Sequence, residues 1–405
     1  MAIDNKDKKV LKSSIEREQN ELACSAEREK IEGSKNLNVP HLRFPEFCGE
    51  WKKCKLGEIA TLTKGSGISK DQRSATGTPC ILYGELYTTY KSEVIDDVVS
   101  KTDISDKNLV RSCSNDIIIP SSGETAIDIS TARCVLSPDV LLGGDLNIIR
   151  LKDGDGRFFS YQLNGVRKHD IAKIAQGVSV VHLYGESIKG LTVSFPSKEE
   201  QKKISTLLSL IDERIATQSK IIEKYKSLIK GIAQNIARNN KTNVRLSECL
   251  KCSSSTLQES DVCENGTYPV YGANGIIGYL DDYSTEDEAI HIIKDGSGVG
   301  TVSYITGKCS ATGTLNTLQA KDGYMLQYLY YMLKIFNFEP YKTGMAIPHI
   351  YFKDYGKTKI FCPSYTEQFK YARLLSAIDN KRSAEQSILD NLSLQKQYLL
   401  RQMFI

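Results

Sequence analysis

The sequence predicts a mixed α/β (α+β) protein in which two β-rich modules are separated by two long, antiparallel coiled-coil helices, the whole forming a pseudo-twofold tandem repeat. Three observations predict it. At 405 residues the chain exceeds what one compact core usually organises, so two or three domains are expected. The chain matches itself at a constant spacing over two stretches, and each matching stretch runs into a long helical heptad.

The self-match joins residues 176–238 to residues 343–405 at an offset of 167, without a gap. Gly177, His182, Tyr184, Pro196, Ser197, Glu200, Gln201, Leu208, Ile211 and Asp212 fall on Gly344, His349, Tyr351, Pro363, Ser364, Glu367, Gln368, Leu375, Ile378 and Asp379. Upstream the echo weakens and the offset drifts. Leu56-Gly57-Glu58 answers Leu246-Ser247-Glu248, and Gly144-Asp145-Leu146-Asn147 answers Gly313-Thr314-Leu315-Asn316. The pattern is a variable module followed by a constant segment, each present twice. It divides the chain into an extension over 1–39, a first module over 40–196, a first long helix over 197–241, a second module over 242–363 and a second long helix over 364–405.

Both constant segments open with Ser-x-x-Glu directly after a proline, Ser197 to Glu200 and Ser364 to Glu367, the spacing of a capping box. In the first, Ile204, Leu208, Ile211, Ile215, Ile222, Tyr225, Ile229, Ile232 and Ile236 alternate four and three apart, interrupted only by Gln218. That is the seam of a coiled coil, and about forty helical residues would extend about 60 Å. The second segment keeps Leu375, Ile378, Leu389, Leu392, Leu399 and Met403, but puts Arg382, Glu385 and Lys396 on the same stripe. Neither helix can bury such a face alone, so packing one against the other is the simplest solution.

The modules carry short β-branched runs, Ile117-Ile118-Ile119 and Ala289-Ile290-His291-Ile292-Ile293, punctuated by glycines, which read as strands. A helix is expected around Tyr324–Phe336, with Tyr328, Tyr330 and Tyr331 as core and rim residues. The composition, 40% hydrophobic and 25% charged, is that of a globular protein. No apolar run approaches a membrane span, so no membrane role is expected. The first forty residues have no signal-peptide character, and cytoplasmic residence is expected. Eleven scattered cysteines fit a reducing compartment, as small hydrophobic thiols. A net charge of +4 permits nucleic-acid binding without requiring it.

Motifs of catalysis are absent. A DNA adenine methyltransferase usually carries Asn/Asp-Pro-Pro-aromatic, and no Pro-Pro pair occurs in the sequence. The run Asp295-Gly-Ser-Gly-Val-Gly300 lacks the Lys-Ser or Lys-Thr of a phosphate loop, and reads as a tight turn between strands. Cys249 and Cys252 form a C-x-x-C with no second pair or suitably spaced histidine, so no metal site is assigned. His182 and His349 occupy equivalent repeat positions and have no triad partner in sequence, which favours a shared structural role in a turn over catalysis and leaves DNA contact open. No catalytic residue is assigned.

The opening Pro40-His-Leu-Arg43-Phe44-Pro45-Glu46-Phe47, followed by Trp51 and Lys55-Leu56-Gly57-Glu58-Ile59-Ala60, resembles the start of type I restriction-modification specificity subunits. The proline-led Glu200-Gln201 and Glu367-Gln368 resemble that family's central and C-terminal conserved regions, so the likeness runs from Pro40 to Ile405. The resemblance implies that each module is a target-recognition domain reading one part of an asymmetric, bipartite double-stranded DNA target. It implies that the helices separate the two domains and bind two copies of a DNA adenine methyltransferase subunit. S-adenosylmethionine would belong to that partner, ATP and magnesium to a restriction and translocase subunit where one joins, and no cofactor to this chain. The spacing logic agrees, since two readers on a fixed spacer recognise sites at a set separation. The extension over 1–39 departs from the family, and its charge suggests a flexible tail or a helix touching a partner.

Base readout needs polar side chains at base edges and cations at phosphates, which glycine-flanked loops can present. In the first module these are Lys64, Ser66 and Lys70, then Ser121 and Ser122, then Gln176 and Ser179, with His182 beside them. The second offers Tyr271 and Asn274, then Lys294 and Ser297, then Lys342 and Thr343, with His349 beside them. Each loop is also consistent with an ordinary turn. The rival reading is a coiled-coil adaptor whose β-rich modules bind peptide or carbohydrate.

Overall fold

A computed structural model describes residues 38–105 and 108–405, so the extension expected over 1–39 lies, up to residue 37, outside the described residues. The chain forms two compact units, one reaching Thr217 and including Leu389–Ile405, the other Gln218–Ile388.

In the first unit the isoleucine run becomes the strand Asp116–Pro120, buried throughout as expected of a continuous apolar run. It lies within a five-stranded sheet ordered Ala60–Lys64, Leu146–Leu151, Asp116–Pro120, Arg133–Val135, Val94–Ile95. Period-two alternation sends Ile117 and Ile119 to one core and Ile118 to another. The first core also holds Phe158 and Tyr161 of the helix Gly156–Asn164, and Trp51, whose ring lies 5.6 Å from that of Phe158.

The second unit repeats the arrangement. Leu250–Ser254, Leu315–Ala320, Glu288–Ile293 and Val302–Thr306 pair in the order of the first four strands above. The helix expected around Tyr324–Phe336 spans Leu326–Lys334, with Tyr328, Leu329 and Met332 in the core. Tyr331 is buried as well.

The long helices run Lys198–Arg238 and Tyr365–Gln402. In the first unit Ile204, Leu208 and Ile211 from the start of one share a core with Leu399 and Met403 from the end of the other. In the second unit Ile229, Ala233 and Ile236 share a core with Ala372 and Leu375, so the helices are antiparallel. Ile222 is buried too, whereas Ile215, Tyr225, Ile378, Leu389 and Leu392 are half-buried.

The polar interruptions of the stripe are paired. Lys396 lies 2.5 Å from Asp212 and bonds Glu93, while Asp212 accepts from the Tyr161 hydroxyl at 2.8 Å. Burial alone would lower the Lys396 pKa, and the two carboxylates outweigh it and hold the pKa above its ordinary value. Gln218 donates to the Glu385 carbonyl at 2.9 Å and to its carboxylate, and the Arg382 guanidinium donates to Asp379 at 2.5 Å.

The capping boxes differ from expectation, because each copy makes one half. The Glu200 amide donates to the Ser197 hydroxyl at 3.4 Å, but the Glu200 carboxylate takes two bonds of 2.8 Å from Arg43. In the second copy the carboxylate half forms, Ser364 N donating to Glu367 at 3.3 Å. The adjacent glutamines do the same work in both units. Gln201 donates to the Pro196 carbonyl and accepts from the Asp155 amide, which caps one module helix. Gln368 donates to the Pro363 carbonyl and accepts from the Met325 amide, which caps the other.

Candidate nucleic-acid interface

The loops singled out in the first module meet at one place. Ser121 N donates to the Asp145 carbonyl at 2.7 Å, and the Ser121 carbonyl accepts from Leu183 N at 2.9 Å. Residues 122–123 pair with 181–182, and Gln176 and His182 exchange both backbone bonds, closing the loop between them. Asp145 in turn lines an open cleft of about 940 Å³ with Lys70, Arg73, Tyr83 and Thr88. Arg73 reaches Glu85 at 3.5 Å, and Glu85 also caps the Leu82 amide. The cleft lining therefore sets Lys70 and Arg73 beside Glu85 and Asp145, hydrogen-bond donors and acceptors on one polar surface.

The second module draws its loops together through the same bonds. Lys294 N donates to the Thr314 carbonyl at 3.0 Å, and the Lys294 carbonyl accepts from Ile350 N at 2.9 Å. Thr343 and His349 exchange both backbone bonds, and Gly296 N donates to the Pro348 carbonyl. Here His349 Nδ1 lies 2.6 Å from an Asp295 carboxylate oxygen. His182 instead stacks on Tyr184, with ring centroids 6.2 Å apart. The two histidines thus share a backbone role at the base of a turn, while their side chains differ.

The individual positions divide accordingly. Lys64, Lys70, Gln176, Ser179, His182, Asn274, Ser297 and Thr343 are exposed; Ser66, Tyr271, Lys294, Lys342 and His349 are half-buried. Ser121 and Ser122 are buried, so they serve as backbone junctions rather than as side chains at a surface. Ser66 accepts from Val110 N at 2.7 Å, which fixes the 64–70 loop, and Lys342 is paired with Glu339 at 2.6 Å. Tyr271 packs edge-on to His291, centroids 5.6 Å apart, and Asn274 sits in the turn between Tyr268–Gly272 and Gly275–Leu280. The glycine run at 295–300 is a turn between strands Glu288–Ile293 and Val302–Thr306.

Sequence reasoning did not find Arg73, Tyr83 and Asp145, because no local pattern marks a cleft closed by residues far apart in the chain. It also passed over the exposed apolar residues of both closed loops, Val178, Val180, Met345 and Ile347. Their signal was present, since each pair falls on the other at the repeat offset.

Elsewhere, Leu210 and Leu228 on the first long helix, and Phe369, Leu374, Ile388, Leu394 and Tyr398 on the second, are exposed large apolar residues. Among the described residues no group of three or more His, Cys, Asp or Glu is placed to hold a metal ion, and no helix is long and apolar enough to cross a membrane. Burial raises the thiol pKa of Cys249 to about 12 and of Cys80 to about 11.

Similarity to known proteins agrees with this geometry. The family model described as the type I restriction modification DNA specificity domain matches residues 49–226 and again 239–394. A type I specificity subunit of Mycoplasma genitalium is 24% identical over 283 residues, covering 64% of this chain and 73% of that protein. The EcoprrI specificity subunit of Escherichia coli is 28% identical over 116 residues, 29% of either chain. A crystal structure of the S subunit of a type I restriction-modification system from M. genitalium shares the fold, with a TM-score of 0.64, 20% identity, and coverage of 91% of this chain and 99% of that one. With its two matched domains, two repeated loop clusters and paired long helices, the chain belongs to the type I restriction-modification DNA specificity family and is a specificity subunit.

Proposed function

We propose that each module reads one part of an asymmetric, bipartite double-stranded DNA target through its loop cluster, and that the chain performs no chemistry itself. The observation that carries this reading is the repeated frame. Equivalent backbone bonds hold Ser121 in one module and Lys294 in the other, while the side chains around them differ. A common frame with unlike side chains suits two readers of unlike sequence.

The exposed apolar residues of the long helices suit docking of a protein partner. Two copies of a DNA adenine methyltransferase subunit would dock there and bring S-adenosylmethionine, with ATP and magnesium confined to a restriction and translocase subunit. The complex would work in the cytoplasm. An adaptor binding peptide or carbohydrate has no such support.

The test is purification of the tagged chain from its own host, with the eluate assayed for S-adenosylmethionine-dependent methylation of DNA. A methyltransferase at two copies per chain, methylating adenines in a split sequence, is expected. Recovery without any DNA-modifying partner would overturn the reading.

A further inference from the structure

The two closed loops carry apolar side chains into solvent at matching positions. Val178 is 98% and Val180 52% exposed; Met345 is 106% and Ile347 57% exposed. Isolated exposed apolar residues are ordinary, but a matched pair at the tip of each repeat copy is not explained by folding. The tips are stiff. Both loops are shut by paired backbone bonds, between Gln176 and His182 and between Thr343 and His349. Each turns through a glycine at positive φ, +120° at Gly177 and +88° at Gly344, where a Cβ would stand 2.2 Å from the Val180 carbonyl oxygen or 2.3 Å from that of Ile347. Neither tip, 176–181 or 343–348, contains a charged residue, and the nearest lysines are engaged: Lys173 with Asp170 at 3.9 Å, Lys342 with Glu339 at 2.6 Å, and Lys353 over the Tyr351 ring at 5.2 Å.

We propose that these tips are apolar wedges that press between DNA bases, one at each half of the target. The inference rests on the reading that the loop clusters face DNA. Exposed apolar side chains on uncharged, closed loops match the apolar faces of stacked bases. Wedges of this chemistry unstack a base step and bend the duplex. The amino-acid identities differ between copies while the character persists, as fits a partner feature that is mechanical rather than sequence-specific. The consequence is functional, because a base-modifying partner must take its adenine out of the stack. A wedge nearby lowers the cost of that extrusion.

The test uses the intact complex of this chain with its methyltransferase, acting on a duplex that carries the complex's own methylation site. A second duplex is the same except for a mismatch opposite the target adenine. V178S/V180S and M345S/I347S are expected to keep both methyltransferase copies, to slow methylation of the matched duplex about tenfold or more, and to recover largely on the mismatched one, where unstacking is already cheap. Equal loss on both duplexes, full activity of the serine variants, or loss of a methyltransferase copy would each overturn the proposal, the last by making the tips a protein-docking surface. A wild-type complex that fails to methylate any duplex would instead overturn the underlying reading that the loop clusters face DNA.

Discussion

In the first unit Asp145, Ser121 and Leu183 are linked by two backbone hydrogen bonds, and in the second Thr314, Lys294 and Ile350 repeat both. Around these equal frames the two surfaces are unlike. The first unit opens a polar cleft beside Asp145. The second sets a histidine–aspartate pair at the base of its loop and packs Tyr271 against a buried His291. What the units share is backbone bonding and the glutamines that cap their helices. What they do not share is the chemistry displayed by the loops. Shared parts hold the fold, and divergent parts are free to read different sequences.

The sharpest break in the comparison should come from the helix stripe. Lys396→Ala leaves Asp212 and Glu93 buried without their cation in the first unit, a loss of about 3–5 kcal/mol. Thermal unfolding should show the first unit weakened and the second unchanged.

Acid should do the opposite. His291, with neither ring nitrogen bonded, has its pKa pushed down to about 4 by burial, whereas the other histidines are exposed or half-buried. Between that value and the ordinary 6.5 the unfolded chain holds a proton that the folded unit refuses, so stability falls as pH drops through the window, by about 3 kcal/mol in all. Calorimetry from pH 7 to pH 4 should therefore lower the second unit's transition ahead of the first, and His291→Phe should abolish the difference.

A smaller and symmetrical effect is expected at the glutamines. Gln201→Leu and Gln368→Leu each strand a backbone amide and a proline carbonyl, and should cost about 1–3 kcal/mol apiece. Clearly unequal losses would break the claim of a common frame. Least of all, Ser179→Ala and Ser297→Ala, both exposed, should change stability by about 0.5 kcal/mol or less. Any change they cause should appear in DNA binding, each through its own module.

Much of this architecture is legible in the sequence, because its signals are local or periodic. The isoleucine runs announce the central strands, the heptad announces the long helix, and the constant offset announces two copies. Pairings across long separations are not legible. Glu200 meets Arg43 across 157 residues and so leaves its expected capping partner, and Lys396 meets Glu93 across 303. The candidate loops were recognisable from glycine and polar residues, but their convergence depends on strand pairing. The burial of Ser121 and Ser122 follows from that pairing and could not be seen beforehand.

The central claim is that the two modules read separate halves of one target. The most direct measurement replaces residues 40–196 with the corresponding domain of another specificity subunit and maps the adenines methylated by the assembled complex. The account predicts a new sequence in one half, with the other half and the spacing between them retained. Changes in both halves, or in neither, would contradict it.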